Sequence, residues 1–587
     1  MPNGEERIPV NAVVKDLVSK KLMPLWADKR TYKKRLELAF FAALAACFTF
    51  VFYGPLEMIV SGSASLIYNW RDVVWLLLGA FVVSCAALTL ALPLLRGKVF
   101  NWAVSLVFAA TVAGYLQAMF WNGALGALTG DGIDWPQLKS ELWEGLLAWA
   151  IVFVAVFMLL YLKRKWWRKV VTYVCVLLVA MQAVPTVGIF CGLYDTAGNN
   201  NGINLTTEGM YQYSEKDNIF VFVLDRMDMD YVNQVLKKDP TFFDKLDGFT
   251  AYDNAISSFA RTKPALIQML TGTEEGAYTT SYTDFYKNAW TADGKDILRD
   301  LKAADYSVEL YTELRYLFSD LDYCTEYVDN AVKGLGKLQV GVALDKFAQL
   351  ALYRYAPLAL KPFFWSDTNY YNADVFDASG PRAYAFDDFG HSAGFITAKA
   401  SREQSAFKFY HFYGPHAPYT LNADGTKNTE KNTSAREQLM GCMTIIYNAI
   451  NRMKLEGIYE DATIIITADH GRAMDDTKPV QKETRIGLFY KPSGSAGTPL
   501  QWSSAPVCTD NLPATILKAA GADYRLYGTP LDEVAEDADI VRYYYKTAVV
   551  KDLRREAILY TYKVVGDASD FKNWHLISET EIPYGYN

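Results

Sequence analysis

The stretch Asn218-Ile219-Phe220-Val221-Phe222-Val223-Leu224-Asp225 decides how the larger part of this chain folds. Its apolar, β-branched and aromatic residues run without the alternation of a half-exposed strand. Such a run fits a strand covered on both faces, as in a parallel sheet flanked by helices. A second run, Asp461-Ala462-Thr463-Ile464-Ile465-Ile466-Thr467, leads into Ala468-Asp469-His470-Gly471, and Thr484 to Tyr490 offers a third. Met440, Ile445, Ile446 and Ile450 fall at helical spacing and predict a helix from Ser434 to Leu455. Strands alternating with helices predict an α/β domain. In open parallel sheets the site lies beyond the carboxyl ends of the strands, where Asp225, Asp469 and His470 all fall.

Two carboxylates and an imidazole in that position suit one divalent metal, Mn or Zn rather than Ca. Each residue also has a plain structural reading: an Asp after a strand is commonly a turn or helix cap, and His470 can be a packing histidine. Histidine is scarce, with five in 587 residues: His391, His411, His416, His470 and His575. The stretch His411-Phe412-Tyr413-Gly414-Pro415-His416-Ala417-Pro418-Tyr419 holds two of them in what reads as a rigid loop after a predicted strand, Ala406 to Tyr410.

Upstream the composition changes. The chain is 51% hydrophobic and 14% aromatic, which excludes disorder for most of it, and the apolar residues are concentrated in the first third. Five spans are predicted: Leu36 to Phe52 (extending to about Leu56), Val73 to Leu95, Val99 to Phe120, Leu146 to Leu162, and Val170 to Phe190 with Pro185 inside. Most approach the ~20 residues that cross ~30 Å of hydrocarbon. Basic residues cluster at Lys29 to Arg35, at Arg96 and Lys98, and at Lys163 to Lys169. The intervening loops hold Arg71 in one case and Asp131, Asp134, Lys139, Glu141 and Glu144 in the other. That alternation predicts a cytoplasmic N-terminus and an extracytoplasmic chain beyond Cys191. No charged residue lies deep in a predicted span, so a transporter lacks an ion path.

The expected organisation is a cytoplasmic segment 1–35, a polytopic α-helical membrane domain 36–191, a linker 192–217, an α/β domain 218–531 and a C-terminal extension 532–587 of unassigned role. Leu350 to Phe364 is apolar around Arg354 and Lys361, and reads as a core helix or as a segment resting on the membrane. A formal charge of −7 argues against nucleic acid as a partner. Of seven cysteines, Cys47, Cys85, Cys175 and Cys191 lie in or beside the spans, so Cys324, Cys442 and Cys508 do not make a disulfide scaffold.

Asp225 after its strand, Ala260-Arg261-Thr262-Lys263-Pro264-Ala265-Leu266-Ile267-Gln268-Met269-Leu270-Thr271-Gly272, the His411–His416 loop and Ala468–Gly471 occur in one order. In that order the sequence resembles the sulfatase and alkaline phosphatase superfamily, roughly from Asn218 to Leu531. Arg485 to Pro492, Thr509 to Gly521, and Gly528 extend the likeness. The resemblance implies an extracytoplasmic α/β sulfatase-like domain in which Asp225, Thr262, Asp469 and His470 gather the metal. Thr262 stands at the position of the cysteine that sulfatases oxidise to formylglycine, and Ala265 and Leu266 replace the serine and arginine of that motif. Sulfate-ester hydrolysis is therefore not expected.

Threonine there resembles lipoteichoic acid synthases and phosphoethanolamine transferases, which join five membrane helices to an extracytoplasmic catalytic domain. The resemblance implies that Thr262 attacks a phospholipid head-group phosphodiester, releases diacylglycerol and passes the group to an acceptor. A threonine hydroxyl is a poor nucleophile that a metal can activate, and the start of a helix predicted over Pro264 to Leu270 would favour a phosphate. By the same resemblance His416 contacts the phosphoryl group or protonates an oxygen, with His411 a further substrate-binding candidate. Arg261 and Lys263 flank the nucleophile with positive charge, and Arg226 and Asp228 support the metal carboxylate; solvated side chains and helix-start residues are the plain readings.

Phosphoethanolamine transferases usually carry several disulfides, so the expected head group is glycerol phosphate. The donor is then a membrane phospholipid, the acceptor a cell-envelope glycan or polymer, and the location a bacterial cytoplasmic membrane. The alternatives are a phosphoethanolamine transferase, a phosphodiesterase or phosphatase of the same fold, and a non-catalytic envelope scaffold. His575 reads as structural.

Overall fold

The apolar run read first in the sequence forms strand β1, Asn218–Leu224, and every one of its residues is buried. The computed structural model describes residues 30–62, 66–122, 125, 135–192, 202–274, 276–280, 282–366, 368–430, 432–472, 478–550 and 555–582. Residues 1–29 of the expected cytoplasmic segment, Asp131 and Asp134, and 193–201 of the expected linker lie outside the described residues. The chain divides into two compact units: residues up to Asn199 with Leu338–Asp377, and Asn200–Lys337 with Ala378–Asn587.

The first unit contains five helices of membrane-spanning length and composition: α1 Tyr32–Ser61, α2 Trp70–Leu94, α3 Gly97–Phe120, α4 Lys139–Leu162 and α5 Arg164–Phe190. This is a block of long apolar helices preceding the α/β domain. The run α1 contains a π-helical stretch, Phe48–Tyr53, and it continues past Leu56 to Ser61, so Glu57 lies inside it rather than beyond its end. Apolar residues on the outer faces, such as Val83 of α2 and Val154 of α4, are exposed, as lipid-facing positions are.

Leu338–Asp377 departs from the sequence reading. A bridge between Leu338 and Phe376 closes its neck, and the helix Val340–Tyr355 buries Ala343, Phe347, Leu350 and Tyr353 with Phe52, Leu56, Ile59, Val73 and Leu77 of the spans. Tyr355 sits where only a glycine leaves room, since a Cβ on Gly54 would lie 2.3 Å from its ring. Arg354 Nη2 pairs with Glu57 Oε1 at 2.7 Å, and Asn122 Nδ2 donates to the Arg354 carbonyl at 2.7 Å. Leu350 to Phe364 is thus part of the span-bearing unit and not of the α/β core.

The second unit is built on a seven-stranded sheet. Besides β1 it contains β2 Thr250–Tyr252, β3 Tyr306–Tyr311, β4 Ser405–Phe412, β5 Thr463–Thr467, β6 Leu488–Lys491 and β7 Gln501–Ser503, in the order β7-β2-β6-β5-β1-β4-β3. Strand β1 runs parallel to β4 on one side and to β5 on the other, so Val223 faces both His411 and Thr467. The expected third parallel strand is corrected: β6 is shorter and antiparallel to β5. Among the described residues of its connection from β5 there is no crossover helix, which a parallel partner would need. Strand β4 also outruns its predicted end, because its pairing with β1 continues to Leu224–Phe412; His411 is therefore a strand residue, not a loop residue.

The predicted helix is Ala435–Leu455, started by a capping box of Ser434 and Glu437. Within the stretch expected to be a linker, Ile203–Leu205 and Gln212–Ser214 form short strands with buried residues. The C-terminal extension forms an antiparallel sheet, β8 Val541–Val550, β9 Arg555–Val565 and β10 Trp574–Glu581. His575 lies on β10 opposite Lys563.

Candidate metal and nucleophile site

Because β1 and β5 are parallel neighbours, the residues that follow them emerge together. Asp225, Asp469 and His470 each offer one ligand atom, and those atoms lie within 4.8 Å of one another. His470 Nε2 is 3.8 Å from Asp225 Oδ1 and 3.5 Å from Asp469 Oδ2. Thr262 Oγ1 is 3.3 Å from the same His470 nitrogen. The four residues expected to gather an ion are therefore adjacent.

The surroundings orient each donor. Asp469 Oδ1 accepts the backbone N–H groups of Arg226, at 3.1 Å, and of His470, at 2.8 Å. Its Oδ2 is buried with no hydrogen-bond donor. An unsatisfied buried carboxylate oxygen is costly unless a cation completes it. His470 Nδ1 lies 2.7 Å from the Gly471 carbonyl; a carbonyl only accepts, so Nδ1 carries the proton and Nε2 presents its lone pair to the cluster. Burial lowers the His470 pKa, which keeps the ring neutral. Burial opposes the Asp469 charge, but His470, His411 and the hydrogen bonds overcome it and hold the carboxyl below its usual range. Three convergent donors in these states could hold a divalent ion.

Thr262 is the first residue of the helix Thr262–Thr271, with Arg261 as its N-cap. The helix begins two residues before the predicted Pro264, and its leading N–H groups and positive dipole end lie at Thr262. Arg261 and Lys263 flank it, and Arg261 and Arg226 both bear electrostatically on His470. Arg226 adopts a left-handed backbone, φ +62°, which turns the chain after Asp225 and directs its N–H to Asp469. Asp228 is a connector: Oδ1 caps the helix Met229–Lys238 through Asp230 N, and Oδ2 accepts Arg472 N at 2.7 Å. It ties the loop after β1 to the loop after β5.

The two remaining histidines of the expected set differ. His411 is buried, its Nδ1 3.0 Å from Thr312 Oγ1, and its Nε2 has no hydrogen-bond partner. Burial pushes its pKa down to about 4, against the pull of Asp469. His416 is half-exposed, with Nδ1 2.7 Å from the Ala417 carbonyl. Its loop is pressed onto Asp225: Gly414 has φ +62°, and a Cβ there would lie 2.6 Å from Asp225 N.

Sequence reasoning missed the residues that hold this loop and its neighbours. Asp388 accepts Tyr413 N at 2.9 Å and Gly414 N at 3.0 Å. Gln438 Nε2 donates to the Gly414 carbonyl, and Ser257 Oγ donates to the Asp469 carbonyl at 2.6 Å. Glu313, just past β3, is pushed up to about 7 by burial although Lys263 and Arg315 pull it down. Asp388, Gln438 and Ser257 follow no motif, because each acts through a distant backbone group, and Glu313 meets Lys263 only in the fold.

The matching family model is that of the sulfatases, over residues 217–522. Among curated proteins none matches this sequence. Similar solved structures include the phosphonate monoester hydrolase SpPMH from Silicibacter pomeroyi, 15% identical over 60% of this chain and 88% of that one, TM-score 0.38. A protein in the alkaline phosphatase superfamily from Vibrio parahaemolyticus is 13% identical, covering 65% of this chain and 85% of its own, TM-score 0.36. The lipoteichoic acid synthase LtaP from Listeria monocytogenes is 12% identical, covering 67% and 91%, TM-score 0.35. The family match spans more than half of the chain and contains Asp225, Thr262, Asp469 and His470: this protein belongs to the sulfatase family.

Proposed function

We propose that this protein is a membrane-anchored phosphotransferase that moves glycerol phosphate from a phospholipid onto a cell-envelope glycan or polymer through a phospho-threonine at Thr262. What carries this is the position of Thr262 Oγ1, 3.3 Å from His470 Nε2 at the head of a helix, in a chain that also has five helices long and apolar enough to hold it at a lipid surface. A threonine has no thiol to be converted to the aldehyde that sulfatases use.

Asp225, Asp469 and His470 would hold one divalent ion, Mn or Zn, with Thr262 Oγ1 beside it. When bound, such an ion lowers the pKa of an adjacent hydroxyl and offsets phosphoryl charge. Thr262 loses its proton to water, its oxygen bonds to phosphorus, and the bond from phosphorus to the diacylglycerol oxygen breaks. His416, protonated, gives that oxygen its proton and diacylglycerol departs. An acceptor hydroxyl then bonds to phosphorus while giving its proton to His416, and the Thr262 oxygen leaves and regains a proton from water. Arg261, Lys263 and the first N–H groups of the helix face the negative charge that the phosphoryl oxygens bring.

The test is mass spectrometry of the Thr262 peptide after incubation of the full chain with phosphatidylglycerol. A glycerol phosphate adduct with release of diacylglycerol is expected. Diacylglycerol release without any adduct overturns the nucleophile. Free glycerol phosphate with no acceptor product identifies a hydrolase, and an adduct formed only from phosphatidylethanolamine reassigns the head group.

A further inference from the structure

We propose that the tip of Leu338–Asp377, residues 352–365, is immersed in the hydrocarbon of the bilayer and contacts lipid acyl chains. The segment lies within the span of the family match, far from the five helices in sequence, and its apolar sequence fits a core helix as well as a segment resting on the membrane; immersion goes beyond both.

Depth is set by what the tip touches. The Tyr355 carbonyl lies 3.3 Å from the position of a Cβ on Gly114, and Gly114 is six residues before the end of α3 at Phe120. At 1.5 Å per residue that is roughly 9 Å inside the end of the span. The Tyr355 ring also meets Phe50 edge to face, with centroids 5.3 Å apart, and Phe50 lies within the π-helical stretch of α1. Beyond Tyr355 the chain turns through Leu358–Phe363.

Protein groups take up several of the polar atoms of the turn, although Arg354 Nε and Glu57 Oε2 are buried without a hydrogen-bond partner. Lys361 is fully buried, and its Nζ donates to the carbonyls of Tyr353 and Arg354 that end the helix. Gln349 Nε2 donates to the Phe364 carbonyl at 3.3 Å. Arg354 is neutralised by Glu57. Non-helical backbone at membrane depth is tolerated only where protein satisfies it in this way. The side chains left uncovered are apolar: Leu352 is 47% exposed, Leu360 46% and Phe363 78%. The same segment buries residues against helices long and apolar enough to cross a membrane, so acyl chain is the occupant that these exposed apolar side chains fit.

The test introduces p-benzoylphenylalanine in place of Phe363 or of Leu352 in the full chain, reconstituted in phosphatidylglycerol–phosphatidylcholine vesicles. Both positions are exposed, so folding is preserved. After irradiation, a lipid adduct at 363 and 352 is expected at a yield comparable to that at Val154 of α4. Leu526, 55% exposed on the α/β unit, is expected to give none. Yields at 363 and 352 that match Leu526 rather than Val154 overturn the proposal. The readout is independent of Thr262 chemistry, so it stands whichever reaction the site performs.

Discussion

Tyr545 of β8 is bridged to Phe259, three residues before Thr262, and their rings stack with centroids 5.1 Å apart. The Tyr545 N–H donates to the Ser258 carbonyl at 2.8 Å, and its carbonyl accepts Ala260 N at 3.0 Å. The C-terminal sheet therefore grips the segment that leads into the helix carrying Thr262. Tyr545→Ala removes the stacked ring but keeps the backbone bonds. It is expected to lower stability by about 1–3 kcal/mol and, by loosening Thr262, to reduce turnover by about 10²-fold. Thermal unfolding and turnover of diacylglycerol release measure both; full activity in this variant would show that the stacked ring does not position Thr262.

Thr262→Ala removes the nucleophilic oxygen and leaves the helix intact. Turnover is expected to fall on the order of 10³-fold or more with no change in thermal unfolding. Residual turnover near that of the wild type would assign the nucleophile elsewhere.

Asp469→Asn separates fold from metal. The amide oxygen can still accept the N–H groups of Arg226 and His470, while an NH₂ replaces the unsatisfied Oδ2. Metal affinity is expected to fall by more than the roughly 10–100-fold that a supporting residue costs. Elemental analysis after dialysis against Mn or Zn reads it directly, and unchanged metal content would remove Asp469 from the ligand set.

Gly414→Ala places a methyl 2.6 Å from Asp225 N on a backbone with φ +62°. The strain is expected to cost about 1–3 kcal/mol and to displace Asp225, so metal affinity drops although no ligand has been changed. A variant with wild-type stability and metal content would show that the loop can withdraw freely.

His411 supplies the pH dependence. Its folded pKa, about 4, lies below the ordinary 6.5 because burial disfavours the charged ring. A base with a depressed folded pKa binds fewer protons folded than unfolded between those values. Its contribution is therefore present above pH 6.5 and is lost as pH falls toward 4, by about 3 kcal/mol. His411→Gln removes that loss, so the stability difference between wild type and variant should shift by this amount between pH 7 and pH 4 in chelated protein. A pH-independent difference would mean that the ring titrates alike in the folded and unfolded chain, as a solvated imidazole does.

The local chemistry of the chain was legible where a few adjacent residues decide the outcome. Asn218–Leu224 fits a strand covered on both faces, five apolar runs read as helices of spanning length, and Asp225, Asp469 and His470 are expected beyond the ends of parallel strands; the structure has each of them so. Periodicity and strand polarity are local properties, so sequence alone determined them. Tertiary structure decided what depends on partners distant in the chain. The direction of β6 follows from its seat between β5 and β2; the membership of Leu338–Asp377 in the span-bearing unit follows from Gly54, Glu57 and Asn122; and the grip of the C-terminal sheet on Ser258–Ala260 follows from backbone hydrogen bonds. Backbone groups are common to every residue and carry no signature in the sequence, so contacts made through them appear only when the fold brings them together.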